Sequence, residues 1–305
     1  MTATLDGLEL AAPPVQRRGS ERPVRPAWPA PRPRRRSARP RPWSALAGAV
    51  VLAVVLTWAV APGWFTSWDP IATSPKDKLL PPGVEHWFGT DQIGRDVFAR
   101  VVYGSRTTIQ ATVIAVGIGL VAGSVLGAVA GFLGGRTDSV VMRCVDVLLA
   151  IPNLLLAMVV VTALGFGSLN VAVAVGLSAV ASFARVMRAE VVRVRASPYV
   201  EAAFAGGERT VQVLLRHILP NSWGPVLALS ALEFGGAVLA VSALSFLGYG
   251  VVPPDPEWGS LIAEGRNWLA SAWWLTTLPG LVVVVVVVSA NHLGRSVGRW
   301  RGERA

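Results

Sequence analysis

The sequence is short of the residues that most enzyme chemistry needs. Its 305 residues include one cysteine, Cys144, so no intrachain disulfide can form, and the thiol reads as a buried bystander. There are only two lysines, Lys76 and Lys78. Neither ends a G-x-x-x-x-G-K-[ST] run, which excludes ATP binding by that loop in this chain. The three histidines, His86, His217 and His292, lie in separate segments without zinc-ligand spacing, so no metal site is expected. No G-x-S-x-G elbow occurs. Glu201 and Glu208 could be paired carboxylates but read as a solvated helix face. The chain is expected to be no enzyme and to need no cofactor.

Charge is scarce as well. Only 15% of residues are charged and 52% are hydrophobic, where an ordinary soluble domain has roughly a quarter charged. The apolar residues fall in long blocks, the last containing seven consecutive valines, Val282–Val288. A bilayer asks for such blocks, roughly 20 residues per helix. The formal charge of +10 sits in a Pro/Arg tail and in short stretches between blocks. That is the pattern of orientation signals rather than of a nucleic-acid face.

Six apolar blocks can be marked: Ala45–Ala61, Thr107–Leu133, Val140–Leu164 with a kink at Pro152, Leu169–Ala184, Pro225–Leu247 and Leu275–Ala290. The expected class is therefore all-α, a polytopic membrane protein with six transmembrane helices. Residues 1–43 form an Arg/Pro-rich tail with few large apolar residues and read as disordered. Ala59-Val60-Ala61 resembles a signal-peptidase site, but the basic leader is long and Pro62 follows, so the first block reads as an uncleaved anchor. The remaining divisions are 44–106, the first helix with an extracytoplasmic segment; 107–292, the core, with a cytoplasmic segment 183–222; and 293–305, a basic tail.

Placing the N-terminus in the cytoplasm assigns 22 of the 28 Arg and Lys residues to inside segments. The positive-inside rule then puts both termini, and segment 183–222, in the cytoplasm of a cell whose inner membrane holds the chain. The tail abuts a membrane helix, so anionic lipid of the bilayer is its expected contact, and nucleic acid is not.

Gly119, Gly123, Gly127 and Gly131 recur every four residues on one helix face, where another backbone can approach closely. Glu233 is a lone acid within the fifth block. At mid-bilayer it costs about 3 kcal/mol, so it must line a translocation path or meet a structural partner. Arg143 and Asp146 are three apart and can pair as an anchor.

Segment 196–221 carries the most information. Ser197 suits an N-cap and Pro198 the first turn of a short helix that Gly206 and Gly207 end. A second helix over about Glu208–Ile218 is expected to stop at Pro220. Two short helices about a glycine hinge make a knob suited to a partner's groove.

Here the sequence resembles a known family. Glu201-Ala202-Ala203, then Gly207, then Leu219-Pro220 is similar to the EAA loop of binding-protein-dependent ATP-binding-cassette (ABC) importer permeases. Gly89-Thr90-Asp91-Gln92-Ile93-Gly94-Arg95-Asp96, Tyr103-Gly104-Ser105-Arg106, Met142-Arg143 with Asp146, Leu244-Ser245-Phe246-Leu247-Gly248, Pro253-Pro254 and Trp258-Gly259 resemble the dipeptide/oligopeptide/nickel branch, and within it the C-type permease. The resemblance spans residues 45 to 298. It implies a type I importer fold, a second homologous permease subunit, two ABC ATPase subunits below and an extracytoplasmic solute-binding protein above. The EAA loop would dock on an ATPase and pass its closure to the membrane helices. An interfacial helix around Asp91, Arg95, Asp96 and Arg100 would lie beneath the binding protein. His217 two before Leu219-Pro220, Val241 in place of a frequent acid, and an acid-free Gly294–Arg299 depart from the pattern. These bear on the substrate, for which peptides, nickel chelates, glutathione-like molecules and siderophores all fit. An ion-gradient-driven secondary transporter is the alternative.

Overall fold

The structure is a computed structural model and describes residues 42–302, with side chains from 46 to 296. The expectations for the tails at 1–41 and 303–305 lie outside the described residues. Within them all regular structure is helical. The helices are α1 (Pro42–Val60), α2 (Val97–Leu133), α3 (Gly135–Ala150), α4 (Asn153–Leu164) and α5 (Ser168–Arg195), followed by α6 (Pro198–Ala205), α7 (Thr210–Val213), α8 (Leu219–Phe246), α9 (Trp258–Gly265) and α10 (Trp274–Gly302).

Helix α2 starts ten residues before the apolar block. The Asp96 carboxylate accepts from the Ala99 N–H at 2.6 Å, capping an orphan donor. The opening residues Val97, Ala99, Val101 and Val102 are all buried, so tertiary packing extends the helix beyond its hydropathic core. Gly134, at φ +66°, ends it.

The third block is two helices rather than one kinked one. Ile151 is extended, as a residue before proline tends to be. The axis turns by 96° between α3 and α4. Helix α3 carries Arg136, Asp138, Arg143 and Asp146, so one of its sides is polar. Arg143 and Asp146 do not pair. Asp146 instead accepts from Arg185 of α5 at 2.7 Å, and Asp138 holds Arg188 of the same helix.

A second revision concerns Pro220. It does not stop a helix but lies in the first turn of α8, which runs on continuously from Thr210. A π-turn at Leu214–Ile218 makes room for it: the Leu219 N–H bonds back five residues to the Leu214 carbonyl. The turn widens the helix where a proline ring would otherwise strike the preceding turn. The Asn221 side chain donates to the His217 carbonyl at 2.7 Å.

Four helical stretches are individually long and apolar enough to cross a membrane: Val97–Leu133, Ser168–Arg195, Thr210–Phe246 and Trp274–Ser296. The bent α3–α4 pair would make a fifth. Helix α1 runs over 19 residues, Pro42–Val60, close to the roughly 20 of a full span, and Leu46–Val60 is its apolar part among the described side chains. Of the six expected crossings, four stand by length and composition among the described residues, and a fifth if the bent pair is one span. Helices α2 and α5 share the largest interface; α8 packs on α10, and α1 on α10 and α2.

Candidate functional site

At one end of the bundle, α6, α7 and the π-turn form a knob. Val200, Val213 and Ile218 are fully buried in one cluster with Phe132 of α2 and Phe183, Met187 and Val191 of α5. These anchors fix the knob to the ends of the long helices. Its other side is open: Glu201 and Ala202 are exposed and Ala203 is half-buried. Around them Tyr199, Phe204, Val211 and Leu215 are exposed large apolar residues. Contiguous apolar surface rimmed by polar groups marks an interaction face.

Ser197 occupies the N-cap position, yet its hydroxyl donates back to the Val194 carbonyl and leaves the α6 amides uncapped. Helix α6 ends through Gly207, at φ +84°, whose N–H reaches the Phe204 carbonyl at 3.0 Å. Beyond the hinge, Glu208 lies 3.1 Å from His217 Nε2 and closes the knob on itself. Leu219 is half-buried and Pro220 exposed, both next to the π-turn.

Along α2 the four glycines face α5. A β-carbon at Gly119 would come within 3.0 Å of Ala179, and one at Gly123 within 2.5 Å of the Val180 carbonyl. At Gly127 it would collide with the Ala184 carbonyl, and at Gly131 it would lie 2.9 Å from that of Arg188. Gly117, on another face, meets nothing.

Glu233 is half-buried midway along α8 and borders a cavity of about 100 Å³ together with Asn153, Ser178 and Gly236. It does not meet the knob; 13 residues of helix separate it from Pro220.

At the opposite end, residues 86–96 make turns and a single bridge between Thr90 and Asp96, so no interfacial helix forms before Val97. Polar groups hold this loop from inside. His86 contacts Asp96 at 2.8 Å, and Arg95 bonds Asp91 at 2.6 Å. Arg95 and Arg100 both reach Glu264 of α9, at 2.8 and 3.1 Å. Glu257, which caps α9, is fully buried and accepts from Thr108 at 3.0 Å and from the Ser260 N–H at 3.1 Å. Burial pushes its carboxyl above the ordinary glutamate value. Sequence reasoning passed over Glu257 and Glu264, and only the neighbouring Trp258-Gly259 pointed there. Cys144 is exposed rather than buried.

Long apolar helices of this number define a helical membrane protein. A family model described as "Binding-protein-dependent transport system inner membrane component" matches residues 123–301. The chain belongs to this family, the permeases of ABC importers, and within it to the branch of dipeptide and peptide permeases. It is 36% identical to the probable D,D-dipeptide transport system permease protein DdpC of Escherichia coli (strain K12), over 82% of this chain and 84% of that protein. Identity to the dipeptide transport system permease protein DppC of Alkalihalophilus pseudofirmus is 37%, over 82% of each chain. The glutathione transport system permease protein GsiD of Pectobacterium atrosepticum is 37% identical over 70% of this chain and 71% of its own length. A solved amino acid ABC transporter with histidines superposes with a TM-score of 0.52 at 16% identity, covering 66% of this chain and 94% of that one, which speaks to fold alone. The chain is a multi-pass membrane protein.

Proposed function

We propose that the chain forms half of the translocation path of an ABC importer for peptides or a related small solute, a glutathione-like molecule among them. It would couple to cytoplasmic ATPase subunits through Glu201–Gly207. The observation that carries this reading is the knob's division of labour. Val200, Val213 and Ile218 lock it to the bundle, while Glu201, Ala202, Tyr199 and Phe204 stand free to meet a partner.

The partners are a second homologous permease, two ATPase subunits and an extracytoplasmic binding protein, with both termini of this chain in the cytoplasm. Closure of the ATPases would press on α6. Because α7, the π-turn and α8 are one continuous helix, a push on the knob would tilt α8 as a lever and bias the bundle between two states. Peptide relatives support the solute class, and Glu233 would line the path.

A Glu201→Arg variant tests the coupling step in the assembled importer. The expected result is ATP hydrolysis that no longer drives uptake, or loss of the ATPase from the purified complex. Uptake and hydrolysis at wild-type ratio in that variant would remove Glu201–Gly207 from the coupling route.

A further inference from the structure

We infer that Glu233 binds an ammonium group of the transported solute, in a cation-accepting position that this chain builds inside the membrane from its own helices. The inference rests on the reading of the chain as a translocation subunit. Glu233 lies 14 residues from Leu219 and 13 from Phe246, which at 1.5 Å per residue puts it about 20 Å from either end of α8. An acid at that depth marks a functional site unless a cation neutralises it. Among the described residues no cation pairs with Glu233, whose carboxylate accepts a hydrogen bond from Ser182 of α5.

The surroundings fit a small cation. The cavity at Glu233 is about 100 Å³, room for about three waters at roughly 30 Å³ each. That admits an ammonium group. Gly236 opens onto this space, since a β-carbon there would meet nothing within 4 Å. Asn153 of α4 lines the same cavity with an amide that can accept, and Ser178 of α5 keeps its lone pairs free because its hydroxyl donates to the Val175 carbonyl at 2.7 Å. One carboxylate and two neutral acceptors would replace the hydration of an ammonium ion, which an apolar path could not do. An anionic solute end would be repelled from the same place.

The test uses the complete importer in proteoliposomes with its binding protein. A dipeptide mixture is the first probe. The second is the matching α-hydroxy series, in which a hydroxyl replaces the terminal ammonium; uptake is read by mass spectrometry and normalised to binding-protein occupancy. Wild type is expected to favour the amino series by about tenfold, the worth of one charge-assisted hydrogen bond. Glu233→Gln brings that ratio to about one, and Glu233→Asp keeps most of it. Equal slowing of both series by Glu233→Gln, an unchanged ratio, or a wild type that carries both series alike or neither overturns the inference. Glu233→Trp separates it from the reading beneath it. If Glu233→Trp blocks both series while Glu233→Gln changes no ratio, the residue lines the path without reading the ammonium group. If Glu233→Trp blocks nothing, its place on the path fails too.

Discussion

Buried charge at the α9 end of the molecule shows how single residues carry the fold. Glu264 is the shared acceptor of Arg95 and Arg100, and the Arg100 side chain is only 1% exposed. Glu264→Ala would leave the buried Arg100 guanidinium without its acid, while Arg95 keeps Asp91, a change that costs about 3 kcal/mol in a buried pair. A fall in the detergent-solubilised protein's thermal midpoint, absent in Glu201→Ala, checks this. Glu257 gives a pH signature. Burial holds its folded pKa above the ordinary value, so the unfolded state releases the proton first. Stability is complete below the unfolded pKa, near 4.3, and declines as pH rises through the interval up to the folded pKa. Glu257→Gln removes that decline. Relative to wild type the variant is expected to be more stable at pH 7 than at pH 4, and the same offset at both values would contradict it. Neither acid announced itself in the sequence, because each is defined by partners more than 140 residues away.

At the level of elements, helix existence was legible and helix limits were not. Apolar runs located α2, α5, α8 and α10 because a bilayer demands them. The ends shifted where packing or capping took over from hydropathy, as in the ten mostly buried residues that open α2 and the arginine-bearing turns that prolong α5. Pro152 and Pro220 illustrate why one residue type has no fixed reading. The first follows an extended residue and breaks the chain direction; the second sits over a π-turn and leaves the helix whole. The α2–α5 contact yields its own prediction. A β-carbon at Gly127 would collide with backbone rather than with a movable side chain. Gly127→Ala is therefore expected to cost about 1–3 kcal/mol by overpacking, while Gly117→Ala should cost nothing, as unfolding midpoints of the two variants would show.

For the whole molecule, the family and the all-helical class were readable from motif order. The bend within the third apolar block was not, because α3 is polar on one side and its axis turns by 96° into α4. On the proposed function this chain moves solute only as part of an ATP-driven assembly, with the knob as its handle. The most direct measurement is to purify the tagged chain with its neighbouring gene products, reconstitute the complex, and follow peptide uptake with ATP or with an ion gradient alone. A stably bound ATPase is expected, with uptake that requires ATP hydrolysis and the binding protein. Uptake driven by an ion gradient, with no ATPase in the complex, would contradict it.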